Sequence, residues 1–324
     1  MYRRRYLLLL CISLLVVACQ PVGLTPQDST GGESPSATSE MRTTTDARGT
    51  EVRVPVHPQR VVTLTEIDLD SALALGLIPV GSVNGRGQLD LPAYLGERTE
   101  GITSVGSLAE PSLETVVALA PDLILAGNLI PPIEALLPEL SQIAPVVATY
   151  QAGDDWKTTL ANVADVLNRE EEADAFLAEY QARTEEIAAQ LGDVAAEASV
   201  TRWMPSGPVV MVPSSFSSLV LADVGLDRPA RHADLAGNHP AHSDPISLES
   251  LAVIDADWLF VGTLNEEGAT SLEEARENPL FQQLEAVQND RVVAVDGTIW
   301  TSVGGPLAAM QVLEDVEAAL QAAK

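Results

Sequence analysis

The chain has 324 residues, 46% of them hydrophobic and 4% aromatic, enough for one large domain or two medium lobes. Its 18 Lys and Arg stand against 46 Asp and Glu, a formal charge of −28; that argues against a nucleic-acid binder, because a phosphate backbone needs a basic face. Its two lysines are Lys157 and Lys324, and neither follows a glycine, so there is no G-x-x-x-x-G-K-[ST] loop; C-x-x-C, H-E-x-x-H, G-x-S-x-G and G-x-G-x-x-G are absent as well.

The chain opens with Arg3, Arg4 and Arg5, followed by an apolar stretch from Leu7 to Val17. Eleven residues fall short of the roughly 20 that cross a bilayer, and suit the core of a signal peptide. Val16-Val17-Ala18-Cys19 then resembles a lipobox, which implies cleavage after residue 18 and diacylation of Cys19. The alternative is a plain secretory signal with an incidental cysteine. Two acyl chains anchor stably where one is marginal. Loss of residues 1–18 removes three arginines and leaves a mature charge of −31, which favours solubility and gives no electrostatic attraction to anionic lipid. The expected location is extracytoplasmic, lipid-anchored to the cell membrane. Residues 19–41 are rich in Pro, Gly, Ser and Thr and are read as a disordered tether.

Order is expected from about Arg42. Thr43–Thr45, a turn at Asp46–Gly49 and Glu51–Val54 read as strand, turn, strand. Val61–Leu64 precedes a helix over Asp68–Leu75 that stops at Gly76, and Pro79–Val83 reads as a strand. Leu113–Leu119 is helical, Asp122–Ala126 a strand, Ile133–Ser141 a helix and Pro145–Thr149 a strand. Such alternation signals a parallel sheet with helices on its faces. From Asp155 to Leu191 the chain holds helix formers without Pro or Gly, and Leu177, Tyr180, Thr184, Ile187 and Leu191 repeat at helical spacing up to Gly192. Asn168 leaves open whether this is one helix or two. A single helix over 169–191 would span about 34 Å.

The pattern then repeats. Ser112, Leu113, Glu114, Asp122 and Gly127 recur as Ser247, Leu248, Glu249, Asp257 and Gly262, each 135 residues later. Val61–Leu77 is echoed more weakly by Val209–Leu226, with one insertion. Two similar α/β lobes, one on each side of the long helix, are the expectation.

Further runs carry a family resemblance: Thr45–Gly49, His57–Val62, Leu75–Gly81, Val105-Gly106 with Pro111–Glu114, and Leu119–Ile124. Late in the chain Asn278–Leu280, Ala286-Val287, Arg291-Val292, Val295-Asp296, Trp300 and Gly305-Pro306 continue it. Over about Thr43 to Leu320 the chain resembles the iron-siderophore, haem and cobalamin class of substrate-binding proteins of ABC importers. The resemblance implies an α/β fold of two Rossmann-like lobes, with parallel sheets and flanking helices, joined by a single long helix. The expected division is a signal peptide over 1–18, the tether over 19–41, an N-terminal lobe over 42–168, a connecting helix over 169–192 and a C-terminal lobe over 193–324. It also implies a monomeric, non-enzymatic carrier without a cofactor that delivers an Fe(III)-siderophore chelate to a permease dimer and its ATPase. Haem, cobalamin or zinc are the alternative ligands on the same scaffold.

In that family one Glu on each lobe docks into the permease; by position these are Glu114 and Glu249, in helical first turns capped by Ser112 and Ser247. The ligand is expected between the lobes at the carboxyl ends of strands. The candidates there are Thr65, Asn84, Arg86 and Asn128 on the first lobe, and Arg202, Trp203, Phe216, Arg231 and Trp300 on the second. Arginine supplies charge for an anionic chelate and aromatics supply flat contact. Arg202 and Trp203, adjacent in a strand, face opposite sides, so only one of them can line the cleft. Tyr94 reads as a loop anchor. His232, His239 and His242, with Asp234 and Asp244, form a secondary metal candidate. Ser214 and Ser215 ahead of His232 and Asp234 supply the residue types of a serine hydrolase, but no glycine elbow flanks either serine.

Overall fold

Two parallel sheets organise the chain, and each is set by short apolar runs that end in turn residues. The computed structural model describes residues 40–192, 196–238, 241–302 and 304–323. Strands β1 (Met41–Thr45) and β2 (Glu51–Pro55) form an antiparallel hairpin. Its turn is held by Asp46, whose Oδ1 accepts from the Arg48 and Thr50 amides. Met41 pairs with Pro55, so strand structure already includes the last residue expected in the tether.

The first sheet has the order β5-β4-β3-β6-β7, all parallel: β3 (Val61–Thr63), β4 (Gly81–Ser82), β5 (Thr103–Ser104), β6 (Leu123–Leu125) and β7 (Val146–Val147). Between them run α1 (Glu66–Ala74), α2 (Leu113–Leu119) and α3 (Pro131–Ile143), followed by α4 (Trp156–Leu167) and α5 (Glu170–Leu191). The long helical stretch is therefore two helices. Asn168 closes α4 in the left-handed conformation (φ 57°), which breaks the helical phase.

The second sheet has the order β10-β8-β11-β12: β8 (Ala196–Met204), β10 (Leu226–Asp227), β11 (Trp258–Thr263) and β12 (Val292–Asp296) are parallel, and β9 (Gly207–Val210) lies antiparallel on β8. Helices α6 (Phe216–Asp223), α7 (Glu266–Arg276), α8 (Pro279–Gln282), α9 (Glu285–Gln288), α10 (Gly297–Thr301) and α11 (Pro306–Ala322) complete the chain. β6 and β11 hold the same place, beside the first long-range strand of their sheet, as the 135-residue repeat requires. The weaker echo aligns β3 with β9, but the parallel counterpart of β3 is β8; the second half has an extra hairpin strand. The repeat is also imperfect at its cap. Ser112 accepts from the Thr115 amide, whereas Ser247 makes no backbone cap and bonds the Ser250 hydroxyl instead, ahead of a 3-10 segment over Leu248–Ile254 kinked at Ser250.

One apolar core runs between the sheets. It joins Val61, Leu123 and Leu125 of the first to Ala198, Val200 and Phe260 of the second through α4, α5 and α11. The outer faces close separate cores: Val62 and Ile124 with α2 and α3 on one side, Trp203, Leu259 and Val261 with Phe281 on the other. Strand alternation sorts these side chains, since successive residues point to opposite faces. Arg169 NH1 donates to the Leu75 carbonyl (3.0 Å), and Gln190 donates to Glu317 (3.0 Å), so α5 is strapped to α1 at one end and to α11 at the other.

A second tie joins the halves directly. Asp70 on α1 is fully buried; its carboxylate accepts from the Leu307 (2.7 Å) and Ala308 (3.1 Å) amides at the start of α11 and from the Tyr94 hydroxyl (2.6 Å). This satisfies amides that a helix start leaves without intrahelical partners and sets a negative charge against the positive end of the helix dipole. Gly305 makes the approach possible, because a Cβ there would lie 2.4 Å from the Asp70 carboxyl carbon. Tyr94 is thus the loop anchor expected for it.

Burial pushes the Asp70 and Asp68 carboxyls up to about 6, against the lowering effect of their hydrogen bonds. Between about pH 4 and 6 the folded chain holds protons that the unfolded chain has released, so these two groups add stability as pH falls through 6. The Asp68→Asn variant should show less gain in urea midpoint between pH 7 and 5 than the parent protein. Asp70→Ala should cost about 1–3 kcal/mol for each buried donor it strands, and Gly305→Ala should destabilise by pushing Asp70 out of place. A Gly305→Ala midpoint equal to that of the parent protein would remove the tie from this account.

Candidate functional site

The carboxyl ends of both sheets meet around a small cavity of ≈ 200 Å³, lined by Ile67, Tyr150 and Trp156 from the first half and Ser214, Phe216 and Ser302 from the second. A larger recess of ≈ 510 Å³ opens beside it on the first half, where Glu66 and Arg86 form part of the wall. Consecutive residues of α1 line one cavity each, Ile67 the smaller and Glu66 the larger.

The first-half wall is built from turns that follow strands. Thr65, after β3, is the N-cap of α1: its hydroxyl accepts from the Asp68 amide (3.1 Å) and donates to the Asp68 carboxylate (2.7 Å). Asp68 also accepts from the Thr149 hydroxyl and the Gly127 amide, so it ties the ends of β3, β6 and β7 together. Gly127 is required there. Its φ is +57°, and a Cβ would lie 2.4 Å from Thr65 and 3.1 Å from the Tyr150 ring. Tyr150 is hydrogen-bonded to Thr65, and burial together with Asp68 raises its hydroxyl well above the usual tyrosine range. Glu66 accepts from the Arg86 amide (2.9 Å); burial raises its carboxyl despite that bond and the Arg86 charge.

The second-half wall is set by Arg202. Its Nε donates to the Thr301 hydroxyl (2.9 Å), and its NH2 group bonds the Thr301 carbonyl and the Ser302 hydroxyl. Burial, and then the like charge of Arg86, lower the Arg202 guanidinium below the ordinary arginine range. Neither arginine has an ion-pair partner among the described residues, although the chain carries 46 acidic residues. A guanidinium group without an ion pair is the side chain best suited to meet a carboxylate.

Several expected residues lie elsewhere. Thr65 is buried, with its hydroxyl committed to the cap. Asn84 stands at the rim of the recess, but its amide is held by the Leu89 carbonyl and the Ser104 hydroxyl. Asn128, half-buried after β6, lines neither cavity. Trp203 packs edge-on to Phe281 in the outer core, which leaves Arg202 as the member of that pair on the cleft side. Trp300 is fully buried, stacked on Phe260 (4.6 Å) and bonded through Nε1 to Asp315 (2.8 Å). Arg231 sits at the opposite, amino-terminal edge of the second sheet, against the Val253 and Asp255 carbonyls and 4.0 Å from Glu197. Phe216 and Arg86 stay at the cleft.

The histidines do not converge. His232 is fully buried with Nε2 on the Val253 carbonyl (2.8 Å), and burial lowers it to about 4; His242 is half-buried beside the Ser243 carbonyl (2.8 Å). His239 and Cys19 lie outside the described residues. Among the described residues no cluster of His, Cys, Asp and Glu suits a metal ion. Ser215 bonds Ser218 rather than a histidine. Tyr150, Ile67 and Ser302 were missed. Tyr150 follows the strand at Pro145–Thr149 and is found by the same rule that selected Arg86, once that rule is applied to β7.

A model described as periplasmic binding protein matches residues 61–298. The chain is 29% identical over 321 residues to a probable siderophore-binding lipoprotein, YfiY, of Bacillus subtilis (strain 168), covering 97% of this chain and 98% of the relative. It is 33% identical over 267 residues to the achromobactin-binding periplasmic protein of Dickeya dadantii (strain 3937), covering 80% of this chain and 85% of the relative. The crystal structure of Staphylococcus aureus SirA complexed with staphyloferrin B superposes with a TM-score of 0.75 over 86% of this chain and 98% of that one, at 24% identity, a likeness of fold.

The burial pattern separates two kinds of variant. Trp300→Phe should lower the urea midpoint by breaking the bond to Asp315, whereas the exposed Arg86 replaced by Gln should leave it nearly unchanged. Equal losses would place Arg86 in the structural framework instead of on the cleft wall.

Proposed function

This chain belongs to the periplasmic binding protein family, with the match spanning most of both sheets, and from that premise we propose that it captures a ferric-siderophore chelate between Arg86 and Arg202 and presents it to an ABC importer. The family and these relatives are binding proteins of transporters, not enzymes. The location is extracytoplasmic. Support comes from two guanidinium groups, Arg86 at the recess and Arg202 bonded to Thr301 and Ser302, that have no ion pair among the described residues of a strongly acidic chain.

Carboxylate oxygens meet the guanidinium fork in two parallel bonds, and a cleft that holds two forks selects a ligand with several carboxylates. Such a ligand also relieves the repulsion between Arg86 and Arg202. Ferric complexes of hydroxycarboxylates fit this chemistry better than neutral chelates. The names of the relatives, which include achromobactin and siderophore binders, agree with an iron chelate as cargo. Neither Trp203 nor Trp300 takes part, because both are closed off in cores.

Delivery is assigned to Glu114 and Glu249. Both are exposed at the start of corresponding helical segments, and neither has an ion-pair partner among the described residues. Each stands beside an exposed apolar residue, Val117 and Leu248 respectively. One acid per half gives a permease two points of contact that register how the halves are spaced. The anchor in this reading is a diacylated Cys19, with the following residues as its tether.

Isothermal titration with ferric citrate should give one-to-one binding that weakens with salt. Arg86→Gln and Arg202→Gln should each lower affinity by about 10- to 100-fold, the range of a lost charge-assisted bond. Unchanged affinity in both variants would remove the cleft assignment. Glu114→Lys with Glu249→Lys should abolish uptake of the chelate by cells while its affinity for the isolated protein holds; a parallel fall in affinity would contradict the docking role.

A further inference from the structure

The recess beside Arg86 has a character that an anion site alone does not explain. Its volume is ≈ 510 Å³, and beyond Arg86 and Glu66 its wall carries Leu89, Leu108, Ala109 and Ile130. Leu89 is 99% exposed. A leucine held wholly in water gives up the gain of burial that its side chain offers.

The loop that presents Leu89 is built to do so. The Gly85 amide donates to the Asp90 carbonyl (2.9 Å), and the Gln88 amide donates to the Gly85 carbonyl (2.9 Å). Gln88 Oε1 accepts from the Ala93 amide (2.9 Å), and Asn84 Nδ2 donates to the Leu89 carbonyl (3.2 Å). Gly87 takes a φ of +73° that closes the turn. The backbone on both sides of Leu89 is thus pinned while its side chain projects free at the recess.

Because Arg86 belongs to both the recess and the anion site, a molecule whose carboxylate is held by Arg86 has its remainder directed along this apolar wall. We infer that the recess receives an apolar arm of the same chelate, and that the cargo is an amphiphilic ferric complex: a carboxylate-bearing iron centre joined to an acyl or other alkyl segment. This inference rests on the cleft reading above and names the ligand class more closely. The volume lies within the usual range of small-molecule pockets, and the one cation at its rim suits an anionic head with an apolar tail.

The test compares two synthetic citrate monoamides, one with a methyl and one with an octyl arm, each as its ferric complex, titrated calorimetrically against the full chain. Each methylene covered should tighten binding about fourfold, so the octyl complex is expected to bind at least tenfold more tightly than the methyl complex. Leu89→Ser, at a side chain with no packing partner to lose, should shrink that ratio, and Leu89→Ser with Leu108→Ser should shrink it further. Arg86→Gln should weaken both complexes in similar proportion. Equal affinity of the two complexes for the parent protein, or a ratio untouched by Leu89→Ser, overturns the recess assignment while the anion site stands. Failure of both complexes to bind overturns the cleft reading and this inference with it.

Discussion

The cleft depends on one buried carboxylate. Asp70, on the first helix of the first sheet, accepts the two amides that open α11, and Gly305 clears the space for it. The residues just before that point, Thr301 and Ser302, hold Arg202 in place. The residues just after Thr65 and before Asp70 include Glu66, which holds the Arg86 loop. This interaction contributes to the spacing between the two walls. The shared core and the straps from α5 to α1 and α11 support the same arrangement. The connection is stiffer than one joining helix would make it, since the two halves also meet through α1 and α11.

Charge is paired unevenly along the chain. Most of the surface repels anions, and several cations are neutralised: Arg48 by Asp46, Lys157 by Asp223, Arg183 by Glu186 and Glu317. Arg86 and Arg202 are among the arginines without an ion pair among the described residues, and the charge of Arg86 acts on Arg202. Holding two like charges near one another costs energy that an anionic ligand returns on binding. An exterior of high negative charge disfavours non-specific lodging of anions.

Much of the fold was legible in the sequence because it depends on local signals. The α2 boundaries, the stop at Gly76 and the place of β6 and β11 follow from capping residues, glycine and a repeat at fixed offset. The site was legible only in part. Arg86, between two glycines and without apolar neighbours, has no core to enter, and the rule of residues after strands located it. The same rule failed for Trp203 and Trp300, since an aromatic side chain at a strand end serves a core as readily as a cleft, and the partners that decide, Phe281 and Asp315, are distant or on another helix. Arg231 follows a short turn at the opposite edge of its sheet, which local order does not distinguish from a cleft loop. Asp70 was invisible as a structural centre, because its partners lie 237 and 238 residues away.

If one anionic chelate bridges Arg86 and Arg202, both stretches of chain should be protected when it binds. Hydrogen exchange of the protein with and without ferric citrate tests this directly. Slowed exchange is expected in two separate stretches, residues 84–91 of the first half and residues 201–204 with 301–302 of the second, with little change around Arg231 and His232. Protection confined to one half, or centred on residues 228–238, would contradict the bridging.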